Sequence, residues 1–173
     1  MRARTMRPLV SVIFGVAMTM TAWAAPAPQV AGQSSSTSDE DPLLLGTWKL
    51  NLAKSKYKAG PPPREQTRTY EAQGQGVKAT IKTINANGRA TTVQYVANYD
   101  SLEYPVTGSP DSDTIALKRV AAHTAEATLS HAGKTMATAR RVIAEDGRTL
   151  TIAYQGELQG ERVDYVAVYD KQP

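Results

Sequence analysis

The sequence predicts an all-β fold, an antiparallel up-and-down meander of about ten short strands closed into a single barrel. Three observations lead there. Runs rich in Thr, Val, Tyr and Ile alternate apolar and polar residues with a period of two, the pattern of strands with one buried face. Asn87-Gly88, Ala132-Gly133, Asp146-Gly147 and Gln159-Gly160 punctuate those runs, each with a glycine where a hairpin needs positive φ. No stretch beyond residue 24 sustains a 3.6-residue apolar repeat.

Residues 1–24 read as a secretory signal peptide. Arg2, Arg4 and Arg7 form a positive leading region, and Leu9–Met20 is an apolar run short of the roughly 20 residues that span a bilayer. Ala22-Trp23-Ala24 supplies the small residues for cleavage after Ala24. The expected product is exported, periplasmic or secreted, with no stable membrane anchor, and no Cys follows to accept a lipid. Cleavage also changes the charge. The chain carries 20 basic and 16 acidic residues, a net +4; without the three leader arginines the balance is 17 to 16, or +1. That balance argues against a basic nucleic-acid surface. Absence of Cys removes a disulfide framework, a thiolate nucleophile and a thiolate metal site.

Residues 25–41 read as a disordered linker, since Gln33-Ser34-Ser35-Ser36-Thr37-Ser38-Asp39-Glu40-Asp41 has no apolar periodicity. Residues 42–173 are long enough for one domain with its own core and too short for two. Thr47–Leu52 opens that domain, with Trp48, Leu50 and Leu52 facing away from Lys49 and Asn51. Ala53–Glu65 reads as a loop, because Lys54, Lys56, Lys58 and Gly60-Pro61-Pro62-Pro63 suit neither helix nor strand. Gln66–Glu71 and Val77–Ile84 flank the Gly74-Gln75-Gly76 turn. Thr91–Tyr99 sets Val93, Tyr95, Ala97 and Tyr99 opposite Gln94 and Asn98. A short Glu103–Val106 strand, then Thr114–Val120, Ala125–Ser130 and Thr135–Ala144, continue the series. Leu150–Gln155 aligns Leu150, Ile152 and Tyr154, and Arg162–Tyr169 aligns Val163, Tyr165, Ala167 and Tyr169. Successive strands on short turns pair with their neighbours, and closing the ring removes two aggregation-prone edges. A two-sheet sandwich is the alternative.

Gly46-Thr47-Trp48-Lys49-Leu50 in the first strand and Val168-Tyr169-Asp170-Lys171 at the exit of the last resemble the calycins, the barrels of lipocalins and fatty-acid-binding proteins. The resemblance covers Leu43 to Lys171 in architecture and rests in motif on those two ends. It implies a lipocalin-like barrel of a bacterial exported protein and a ligand-binding use. Fatty-acid-binding proteins carry a helix pair after the first strand. Ala53–Glu65 departs from that and looks like the lid-like first loop of lipocalins. The carboxylate-holding Arg-Val-Tyr of the fatty-acid carriers' final strand appears as Ala167-Val168-Tyr169, so only the Tyr carries over.

Alternate side chains of a barrel strand point inward. The inward set is rich in Tyr and in small Ala residues (Ala79, Ala97, Ala125, Ala127 and Ala167), and the one Phe of the chain is Phe14 in the leader. Such a lining suits a cavity with a few hydrogen-bonding groups. It equally suits a flattened barrel packed with its own side chains. Arg140-Arg141 lies in a strand with apolar residues on both faces, so one guanidinium is expected inside, where it needs a carboxylate or several acceptors. A ligand carboxylate would serve, or the arginine would lie over Trp48 and plug one end, as in lipocalins.

The expected function is an exported binding protein for an amphipathic or lipid-like molecule. Its apolar body would lie against Trp48, Tyr95, Leu150 and Tyr165, its head near Arg140 or Arg141 and Tyr169, with Tyr99 and Tyr154 completing the lining. The alternative is a side-chain-filled barrel that contacts another protein. No enzymatic activity, cofactor or metal is expected. Asp111 with Asp113 and Glu145 with Asp146 lack the spacing of a calcium loop. His123 and His131 fall at opposite ends of one strand, no nucleophile elbow is present, and Gly74-Gln75-Gly76 is no phosphate loop.

Overall fold

The computed structural model describes residues 40–158 and 160–173. The signal peptide and the linker up to residue 39 lie outside the described residues. The rest forms eleven antiparallel strands: β1 Gly46–Leu50, β2 Lys56–Ala59, β3 Glu65–Gln73, β4 Gly76–Ile84, β5 Ala90–Ala97, β6 Asp100–Thr107, β7 Thr114–Ala121, β8 Thr124–His131, β9 Lys134–Ile143, β10 Thr149–Leu158 and β11 Glu161–Lys171. Ten of them, β1 and β3 to β11, make a closed meander, because β1 pairs with β3 on one side and with β11 on the other. No α-helix occurs among the described residues.

The eleventh strand is a correction to the sequence reading. β2 lies inside the interval expected to be a loop. It runs along the same edge of β11 as β1, with Tyr57 opposite Tyr165 and Lys56 opposite Val166. A 3-10 turn at Leu52–Lys54 joins the two. Asn51 holds that turn, accepting from the Lys54 amide at 3.2 Å and donating to Asp170 at 2.7 Å. Ser55 Oγ clips it to β11 by accepting from the Val168 amide at 2.9 Å. The turn breaks the strand's alternation, so Leu52 points to solvent rather than sharing the inner face with Trp48 and Leu50. The expectation of an extended connection survives only at Gly60–Arg64.

Hairpin chemistry explains the regular side of the meander. Ala132 and Gly133 both have positive φ, 48° and 75°, so the two-residue turn follows the twist of its strands. β5 and β6 are less regularly joined: only Gln94–Thr107 and Tyr95–Val106 pair, and β6 shifts register between Asp100 and Glu103. Gly108, at φ 77°, brings its backbone so near the Thr92 carbonyl that a Cβ would sit 1.9 Å from the oxygen.

The strand ends define two poles. At one, Leu43 and Leu44 enter beside the end of β11, and Leu44, Trp48 and Leu150 are wholly buried. At the other lie β2, the proline run and the β4–β5, β6–β7 and β10–β11 connections. The first is the closed end and the second is the mouth.

Gly108→Ala is expected to lower unfolding free energy in urea by roughly 3 kcal/mol, because backbone collides with backbone there. Gly133→Ala, which meets nothing within 4 Å, is expected to lose only about 1 kcal/mol from its positive φ.

Candidate ligand site

The closed end is sealed by its own side chains. Trp48 Nε1 donates to the Leu44 carbonyl at 2.7 Å. The Lys171 ammonium lies 5.1 Å from the Trp48 ring centre and donates to the Leu43 carbonyl at 2.8 Å. The cation over Trp48 is therefore a lysine from the end of β11, and neither Arg140 nor Arg141 plugs this end. Trp48 and Leu150, expected in the ligand lining, are wholly buried and line neither the inner cavity nor the mouth pocket described below.

Glu40 and Asp41 also belong to the folded barrel, two residues earlier than the linker reading placed its start. Both are buried. Asp41 lies 2.7 Å from His123 Nδ1 and accepts from the Leu43 amide at 3.0 Å. Glu40 accepts from the Tyr99 hydroxyl at 2.8 and 3.0 Å. Arg141 donates to the same hydroxyl oxygen, with its guanidinium 3.8 Å from the Glu40 carboxylate. Arg119 stacks 4.4 Å from the Tyr99 ring centre and reaches Glu40 at 3.9 Å. Burial raises the Glu40 pKa despite the opposing pull of Arg141 and of the Tyr99 hydrogen bond.

This settles the fate of the arginine pair. Arg141 faces in with Ala137, Ala139 and Ile143. Arg140 faces out and pairs with Glu126 at 2.8 Å on the exposed surface. The sequence reading looked for a ligand carboxylate at the inward arginine; the chain provides one itself, from Glu40.

A second inward guanidinium, missed in the sequence, has no such partner. β3 presents Gln66, Arg68 and Tyr70 to the interior, with Arg68 opposite Ile81 and Tyr70 opposite Ala79 across the β3–β4 ladder. Arg68 Nε donates to Gln66 Oε1 at 3.2 Å, its Nη1 reaches the Tyr70 hydroxyl at 3.5 Å, and the guanidinium lies 5.2 Å from the Tyr169 ring centre. Among the described residues no carboxylate lies within ion-pair distance of it. Burial works against its charge, and the oxygens of Tyr169, Tyr70 and Tyr165 outweigh that and keep it protonated. Arg68 was hidden in the sequence because β3 has no apolar face. The cue lay in its partner: Val77, Ala79 and Ile81 of β4 share one apolar face, and adjacent strands must agree on which side is inside.

Two spaces flank Arg68. An inner cavity of about 100 Å³ is lined by Arg68, Tyr70, Tyr95, Arg141, Ile152 and Tyr154, among others. A mouth pocket of about 390 Å³ is lined by Tyr57, Pro61, Pro63, Gln66, Tyr165 and Tyr169 with the Asn85–Asn87 turn. Of the expected lining, Tyr95, Arg141 and Tyr154 meet at the inner cavity, and Tyr165 and Tyr169 meet at the mouth. Tyr99 is occupied with Glu40. Tyr57, from the unforeseen β2, joins the mouth. Burial keeps these phenols neutral, pushing Tyr57 and Tyr154 up to about 12 and raising Tyr95, Tyr99, Tyr165 and Tyr169 as well. They therefore act as hydrogen-bonding groups without charge.

In comparison with known proteins, no family profile matches the chain and no curated sequence aligns with it significantly.

Glu40→Ala is expected to cost roughly 3 kcal/mol of stability by leaving Arg141 and the Tyr99 hydroxyl without their buried acceptor, whereas Arg140→Ala costs under about 1 kcal/mol. Glu40→Gln keeps the Tyr99 hydrogen bond and should lie closer to wild type at neutral pH. Because the folded pKa of Glu40 is raised, its contribution is full below the ordinary value of 4.5 and declines as pH rises through the folded value. The stability of wild type relative to Glu40→Gln should thus increase as pH falls from neutral toward 4.5; urea titrations across that range check it.

Proposed function

We propose that this protein is an exported, lipocalin-like binding protein that holds a small amphipathic molecule by an anionic group. The observation that carries the reading is Arg68, a guanidinium that lines the inner cavity and has no carboxylate partner among the described residues, while its neighbours Gln66 and Tyr169 line the mouth pocket. A half-buried charge answered only weakly is costly, and a site that keeps one gains when an anion arrives. Gln66 Oε1 meanwhile accepts from both Arg68 and the Tyr169 hydroxyl, the two donors an anion's oxygens would take. The leader supports export, and the closed meander with its Trp48 and Tyr169 ends supports the calycin resemblance. The expected head-group residue moves from Arg140 or Arg141 to Arg68, with Tyr169 retained.

The small inner cavity favours a second reading, a barrel filled by its own side chains that works through its surface. Two probes separate them: anionic anilinonaphthalene sulfonate and neutral N-phenylnaphthylamine, titrated by fluorescence against wild type and Arg68→Met. The binding reading expects Arg68→Met to preserve or raise the melting temperature, to weaken the anionic probe at least about tenfold, and to leave the neutral one unchanged. A wild type that binds neither probe would establish the filled barrel. Equal loss of both probes would remove Arg68 from the head-group role.

A further inference from the structure

We propose that the ligand is a planar aromatic acid, whose ring extends a ladder of tyrosines at the mouth and whose carboxylate turns down toward Arg68. This rests on the anion-binding reading above and names the ligand class it takes. Tyr57 and Tyr165 stack with ring centres 5.1 Å apart and planes 27° apart. Tyr165 and Tyr154 stack at 5.0 Å and 5°. Tyr57 and Tyr165 line the mouth pocket and Tyr154 lines the inner cavity, so the ladder runs from one space to the other.

Volume separates rings from chains here. A cavity of about 150 Å³ takes a single benzene ring, and the inner cavity, at about 100 Å³, is smaller. It suits a carboxylate-sized group better than the body of an acyl chain. The body of the ligand must therefore lie in the mouth pocket of about 390 Å³. That pocket is lined by the outermost ring of the ladder, Tyr57, which Tyr165 backs, and by Pro61 and Pro63 from the connection to β3. A rigid ring meets flat walls without losing internal rotations, whereas a flexible chain loses several. The pocket includes Gln66 and Tyr169, two of the side chains that touch Arg68. A carboxylate on such a ring reaches Arg68 by displacing the Gln66 carbonyl, which is free to turn toward Thr83, already its partner through Nε2 at 2.8 Å.

Calorimetric titration of the purified protein with 2-naphthoate and undecanoate, acids matched in carbon count, tests the assignment. Naphthoate is expected to bind at least about tenfold tighter. Tyr57→Ala should weaken naphthoate about five- to tenfold and leave undecanoate within about twofold, while Tyr57→Phe, which keeps the ring, retains wild-type affinity. Undecanoate binding as tightly as naphthoate, or Tyr57→Ala weakening both alike, would overturn the aromatic assignment. If neither acid binds while the sulfonate probe still depends on Arg68, this assignment falls and the anion-binding reading stands. If the sulfonate probe is unbound as well, both fall.

Discussion

A guanidinium inside a protein has to be answered, and much of this barrel's interior is arranged around two of them. Arg141 is answered by charge: Glu40 reaches in from ahead of the first strand, and Tyr99 bridges acid and base. Arg68 is answered, among the described residues, by neutral oxygens and ring faces from Gln66, Tyr70 and Tyr169. The abundance of inward tyrosine follows from this pairing. A phenol supplies polarity where a guanidinium needs it and apolar surface where the sheet must close over it. Leucine or phenylalanine at those positions would fill the volume and strand the charge.

The two ends of the barrel divide the work of stability and access. At the closed end Trp48 and Leu44 are wholly buried, and Lys171 lies over the Trp48 ring. At the mouth, β2 turns away from the β1–β3 ladder yet stays on β11, so a pocket opens between β2 and the β4–β5 turn without exposing a sheet edge at β11. The 3-10 turn at Leu52–Lys54 makes both possible. One edge of β11 closes the ring in its last residues and carries a wall of the pocket in its middle.

Much of the fold was legible because strand period and turn chemistry are local. All ten expected strands occur, in order, and the inward faces of Val93–Tyr99, Leu150–Tyr154 and Val163–Tyr169 are those the alternation indicates. What the sequence concealed depends on contacts between distant segments. β2 reads as a lysine-rich loop, because its strand character comes from lying on β11 rather than from its own residues. Glu40 and Asp41 read as linker, because the reason to bury them is Arg141 and His123, far along the chain. The site was half legible. The tyrosines were found by alternation, and an inward arginine was expected in β9. The arginine that lacks an anion sits in β3, where Thr, Gln, Arg and Glu mask the alternation from both sides.

Ring closure has a consequence for how this molecule is made. The pairing that completes the barrel joins the first strand to the last, and its side-chain clasp links Asn51 with Asp170, 119 residues apart. The β2–β11 seam is distant as well, while the seams from β3 through β11 join neighbours along the chain. Topologies dominated by such distant pairing fold slowly, because the entropy of bringing the ends together is lost before any contact repays it. A nascent chain lacking its final dozen residues has hairpins but neither interior nor pocket. Closure of the ring waits on β11. Truncation there acts on the whole molecule at once.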